Sequence, residues 1–199
     1  MDLETIGLRE SRVSASSLEL FRLMIDSVLQ TGRVQKVAAR AQLIELAAHD
    51  WLAANADGTV NVVYPFALEP SDIAVTLQDV ERYAVCAIDA LGIAPMLDTD
   101  VVVRAVCPQS GANLRIEVDK RDLPVSEPEG VVVLRRRQRG AAHSNRCAAT
   151  RFFLSADEAA RWRSSNGDEA DVILTLQDAY KEATAIFGRC YSDGVRMVL

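Results

Sequence analysis

The chain has 199 residues, a formal charge of −6, 49% hydrophobic and 25% charged residues. At this size roughly 70% of the unfolded chain's surface can be buried, so a sizeable core needs no disulfide scaffold. The acidic balance argues against a general affinity for nucleic acid or anionic membrane, and no run approaches the ~18 apolar residues of a membrane span.

The opening Met1-Asp2-Leu3-Glu4 has no apolar segment behind it and does not read as a signal peptide. A soluble, cytoplasmic protein is expected, with Cys86, Cys107, Cys147 and Cys190 kept as thiols. There is no C-x-x-C, and the histidines are His49 and His143, so a closed zinc site at short spacings is not encoded.

In chain order, residues 1–12 form a polar lead-in. Leu18, Phe21, Leu23, Met24, Val28 and Leu29 recur at helical spacing, predicting a helix over Ser16–Leu29 behind a Ser-Ser N-cap and ended by Gly32. A second helix or helix pair is expected over Val34–Ala54, then a turn at Asn55-Ala56-Asp57-Gly58. Strands are expected at Thr59–Tyr64 and Ile73–Leu77, with Pro65–Asp72 as a loop. Helices followed by a strand–loop–strand pair have the order of a winged-helix module. The candidate recognition helix carries Glu45 and Asp50 and no Lys or Arg after Arg40, so a structural winged-helix-like domain over 1–79 is expected rather than a DNA reader.

A second domain is expected over 80–199. Tyr83–Leu91 reads as helical, and Val101–Val106 and Asn113–Val118 as strands around a Cys107-Pro108-Gln109-Ser110-Gly111 turn. Further strands are predicted at Gly130–Arg135, Arg151–Leu154 and Asp171–Leu174. Ser155 and Glu158 have the spacing of a capping box for a helix reaching about Arg163. Thr175 is placed to cap a last helix over Gln177–Phe187, closed by Gly188. Strands and helices mix without strict alternation, which predicts an α+β fold: a winged-helix-like part, then a mixed or antiparallel sheet flanked by helices. The run Arg135, Arg136, Arg137, Gln138, Arg139 has no interleaved aromatics and reads as a solvated loop or strand end.

The segment Tyr83-Ala84-Val85-Cys86-Ala87-Ile88-Asp89-Ala90-Leu91-Gly92 carries the chemistry. On a helix, Cys86 and Asp89 share a face, among Val85, Ile88, Leu91, Ile93 and Met96. A carboxyl in such apolar surroundings tends to hold its proton, and beside a thiol it is a potential proton carrier. By itself C-x-x-D is equally the pattern of a buried small residue and a capping or surface acid.

Three blocks resolve that ambiguity. The first is Arg82-Tyr83-Ala84-Val85-Cys86-Ala87-Ile88-Asp89-Ala90-Leu91-Gly92-Ile93. The second is Val106-Cys107-Pro108 with Ser110-Gly111 and Ile116-Glu117-Val118. The third is Cys147-Ala148-Ala149-Thr150-Arg151-Phe152-Phe153-Leu154-Ser155, followed by Ala160 and Trp162. In order and spacing they resemble the alkylmercury (organomercurial) lyase family from about Leu43 to Gly188. Two departures are Val85, where the family often has an aromatic or Met, and the small Ala148 and Ala149, where it often has Cys or His.

The resemblance implies an enzyme that cleaves a carbon–mercury bond by protonolysis. Cys86 and Cys147 would be the mercury-binding thiols, with Asp89 a third group at the metal and the proton donor, and Cys107 structural. Thiolates are soft ligands that select soft metals, which suits this chemistry. No cofactor is required on this reading. The expected partners are an organomercurial or other soft-metal small molecule, and small thiols or a mercuric reductase that accept Hg(II), bound as product. The alternative is a homologue that binds a soft metal or thiol-reactive ligand in a biosynthetic or regulatory pathway without lyase activity. Cys190 reads as a free thiol near the C-terminus.

Overall fold

A computed structural model describes residues 12–35, 39–55, 57–120, 122–136, 147–166 and 168–188. Residues 1–11 of the expected lead-in, His143, Cys190 and residues 137–139 of the basic run lie outside them. The first elements are helix α1 (Ala15–Thr31), helix α2 (Arg40–Ala48) and strands β1 (Leu52–Ala54), β2 (Val60–Val63), β3 (Phe66–Ala67), β4 (Ile73–Leu77) and β5 (Val80–Ala84). Helix α3 (Ala87–Leu97) follows, then β6 (Val101–Val106), β7 (Asn113–Val118), β8 (Val125–Glu127) and β9 (Val132–Arg135). After a 3₁₀ turn at Cys147–Ala149 come β10 (Arg151–Phe153), α4 (Ala156–Asn166), β11 (Val172–Thr175) and α5 (Leu176–Phe187).

Eight strands form one antiparallel sheet in the order β1-β2-β3-β5-β4-β6-β7-β8, and β10-β9-β11 form a second. The sequence alternation sets the large sheet's sidedness. Val75 pairs with Val103 and Val103 with Ile116, and each is fully buried, while Arg104 and Arg115 pair on the other face. One face is therefore dry and the other wet, as antiparallel sheets allow. The α+β expectation holds.

Helix α3 packs against the sheet on β4, β5 and β6 and against α5. Ala87 through Ala94 are all buried, and Asp89 is the one ionisable side chain among them. A helix apolar on every side belongs inside a protein. Gly92 makes the close approach to α5 possible: a Cβ there would lie 2.2 Å from Phe187 Cδ2.

The N-terminal helices are tied on by polar contacts at their ends. Ser14, rather than Ser16 or Ser17, caps α1, its side chain accepting from the Ser17 amide. Glu45 on α2 accepts from the Ser14 amide and hydroxyl at 2.9 and 2.7 Å. At the other end Gly32 takes φ 72°, and Arg82 of β5 donates to the Val28 and Leu29 carbonyls, both at 2.6 Å. This satisfies acceptors that a helix C-terminus leaves open.

Several expectations are corrected. The second helix stops at Ala48; Trp51 is buried against Phe21 and Leu52–Ala54 is a strand paired with β2. Apolar content without clear helical periodicity concealed that change. The loop Pro65–Asp72 contains β3. Tyr83 and Ala84 lie in β5, and the helix begins only after Cys86. The stretch preceding Cys86 is rich in Ala, Val and Tyr, and sheet pairing decides its state. The division expected between 79 and 80 coincides with a hairpin turn inside the large sheet. There Gln78 and Asp79 take φ 45° and 64°, and Leu77 pairs with Val80. No helix among the described residues is long and apolar enough to cross a membrane.

Gly92→Ala is expected to destabilise the protein by about 1–3 kcal/mol through overpacking, although alanine favours an unobstructed helix by about 1 kcal/mol. Urea unfolding measures this, and the loss should shrink in a Phe187→Leu background.

Candidate mercury site

Cys86 is the N-cap of α3, with extended backbone at φ −152° and ψ 177°, and Asp89 stands in the helix's first turn. The local pairing expected from sequence therefore holds in a different form: the thiol is at the helix mouth and the carboxyl within it. Cys147 opens the 3₁₀ turn, sixty-one residues further along the chain.

Two backbone hydrogen bonds bring these distant segments together. The Ala87 amide donates to the Thr150 carbonyl at 3.1 Å, and the Thr150 amide donates to the Cys147 carbonyl at 3.1 Å. The residue after one cysteine is thus joined to the turn that carries the other. Thr150 is itself buried, and its hydroxyl accepts from the Arg136 amide at 3.3 Å. Arg136 in turn reaches Asp171 at 3.2 Å. Arg135 pairs with Glu182 at 2.7 Å, so these two residues of the basic run serve partly buried ion pairs rather than a solvated face.

The result is a compact cluster. The ligand atoms of Cys86, Asp89 and Cys147 all lie within 4.8 Å of one another. Among the described residues, this is the one group of three or more Cys, His, Asp and Glu side chains placed to share an ion. Cys86 and Asp89 are 4% and 5% exposed, whereas Cys147 is more accessible. Burial pushes the Cys86 thiol well above its usual range, with further contributions from its hydrogen bond to Cys147 and the nearby Asp89 charge. Cys86 is therefore neutral at rest, and Cys147 is the thiol that solvent meets.

One member of the cluster was not legible in sequence. Tyr64, read only as a strand end, is 5% exposed and places its hydroxyl 3.9 Å from Cys147 Sγ. No local spacing signals it, because the contact spans eighty-three residues.

Cys107 lies apart from this group. Its thiol donates to Glu158 at 2.9 Å, Ser110 donates to the same carboxylate oxygen at 2.7 Å, and the Leu154 amide approaches the sulfur at 3.5 Å. Glu158 thus fulfils only half of the expected capping box: its amide donates to Ser155 Oγ at 3.3 Å while its carboxylate turns to the β6–β7 turn. Through Glu158, Cys107 ties this turn to α4.

The family model for MerB, alkylmercury lyase, matches residues 66–188. The chain belongs to the alkylmercury lyase family. This organomercurial lyase shares its fold with a solved structure described as the mercury-bound form of MerB2, at a TM-score of 0.75 and 18% identity, over 90% of this chain and 93% of that one. The matched region contains the β5–α3 segment, the Cys107 turn and the Cys147 turn, as the three sequence blocks imply. The enzyme is accordingly a lyase of carbon–mercury bonds.

The hydrogen bonds from Cys107 and Ser110 hold Glu158 below the usual glutamate range. Its folded value is lowered, so its stabilising contribution is complete above the unfolded glutamate range and is lost as pH falls through the folded value. Chemical unfolding across pH should show wild type exceeding Glu158→Gln most at neutral pH, with the gap narrowing on acidification.

Proposed function

We propose that Cys147, Cys86 and Asp89 carry out the lyase reaction as two mercury-binding thiols and one proton carrier. The carrying observation is the convergence of the three ligand atoms within 4.8 Å. Cys147 acts first because it is the accessible thiol. Its sulfur displaces the thiolate that accompanies the organomercury cation, and its proton leaves with that thiolate. Cys86 then binds the same metal and passes its proton to Asp89. At the mouth of α3, the helix dipole favours the thiolate that forms.

With two soft sulfurs on mercury, electron density on the metal-bound carbon rises. Asp89 delivers its proton there, and the carbon–mercury electron pair becomes the new C–H bond. Mercury stays divalent throughout, held as the bis-thiolate product, and the hydrocarbon departs. The two thiol protons account for the two hydrogens gained, one by the displaced thiol and one by the hydrocarbon. No redox step occurs, and on this reading no resident cofactor takes part.

Small thiols, or a mercuric reductase, would remove Hg(II) by exchange at the more open Cys147. A reducing cytoplasm suits a reaction that needs both thiols free. All three reacting side chains come from 80–199. Helices α1 and α2 with the β1–β2 hairpin have the order of a winged-helix-like unit and on this reading support the sheet.

The direct test is incubation with phenylmercury or methylmercury and excess small thiol. Benzene or methane should be released. Asp89→Asn should retain Hg(II) but lose turnover by about 10²–10⁴-fold, the usual worth of a positioned proton donor. An Asp89→Asn variant with wild-type turnover would remove the assigned role.

A further inference from the structure

We infer that Tyr64 is a further catalytic residue of this site, its phenol O–H donating a hydrogen bond to the Cys147 sulfur and holding it for mercury capture. This rests on the reaction proposed above.

Tyr64 is at the end of the β2 region, and its position is fixed independently of the thiols. Its amide donates to the Trp51 carbonyl at 3.1 Å, and the next residue's carbonyl accepts from the Val85 amide at 3.2 Å, immediately before Cys86. The backbone therefore registers the tyrosine against the same segment that presents Cys86. A buried tyrosine hydroxyl ordinarily finds a polar partner. Here the contact is Cys147 Sγ at 3.9 Å, within reach of a large sulfur atom.

Either atom can donate while Cys147 is a thiol. Once that sulfur has lost its proton, to a displaced thiolate or on binding mercury, only the phenol can. A phenol keeps its proton at neutral pH and so has one to donate. The hydroxyl is thus a fixed donor aimed at the one reacting sulfur that solvent reaches. Asp89 is committed to the carbon and Cys86 to closing on the metal, so Tyr64 acts at capture.

The test compares Tyr64→Phe with wild type in two assays. With phenylmercury and excess thiol, KM should rise about tenfold, the worth of one hydrogen bond to a charged group, with kcat changed less than about twofold. In the absence of mercury, iodoacetamide modification of Cys147, mapped by mass spectrometry at one neutral pH, should slow by about threefold. Without the phenol the sulfur is no longer held in place by that contact. Wild-type KM together with wild-type alkylation would overturn the inference. Should Tyr64→Phe not fold, 3-fluorotyrosine at position 64 decides. As a stronger donor of nearly the same shape, it should speed alkylation, and an unchanged rate overturns the inference. If the wild-type chain releases no hydrocarbon, the proposed reaction fails, and the alkylation arm still decides the Tyr64 contact.

Discussion

The two cysteine-bearing segments are joined at Thr150, whose backbone is hydrogen-bonded at both its carbonyl and its amide. Its carbonyl accepts from Ala87, the first residue of α3, and its amide donates to Cys147, the first residue of the 3₁₀ turn. Each bond alone contributes only about 0.5–1.5 kcal/mol to stability. Together they fix where two soft ligands stand relative to one another, and that spacing determines whether one metal can touch both. Thr150 is in turn held through Arg136 and the fully buried Asp171 carboxylate, so the small sheet's polar frame bears on the geometry of the thiols.

The remainder of the fold keeps α3 in place. Its buried, nearly uniform apolar surface is clamped between the dry face of the large sheet and α5, with Gly92 permitting the closest approach. This setting makes Asp89 unusual: a carboxyl in the first turn of a helix otherwise devoid of charge. It also makes the two thiols unequal. Burial holds Cys86 neutral, whereas Cys147 is more open and touches Tyr64, the asymmetry on which the proposed order of action rests.

Much of this was legible in the sequence where a local pattern carries the information. The alternation in Ile73–Leu77, Val101–Val106 and Asn113–Val118 marks those strands to the residue, and Thr175 and Gly188 mark the ends of the last helix. Cys86, Asp89 and Cys147 were accessible through the order and spacing of three blocks. Tyr83 and Leu52 look helical in sequence but lie in strands, because pairing with distant partners overrides the helical appearance of Ala-rich segments. Tyr64 and the second use of Glu158 were invisible for a related reason: both depend on contacts across the fold, with Cys147 and Cys107, that no short spacing encodes.

In the proposed reaction Cys86 and Cys147 grip one metal ion beside Asp89. Crystallography of the Hg(II)-loaded protein, with mercury located by anomalous scattering, tests it most directly. One fully occupied mercury bonded to both sulfurs, with the Asp89 carboxyl adjacent, is expected. Mercury bound to Cys107, or to only one sulfur of the pair with the other turned away, would contradict it.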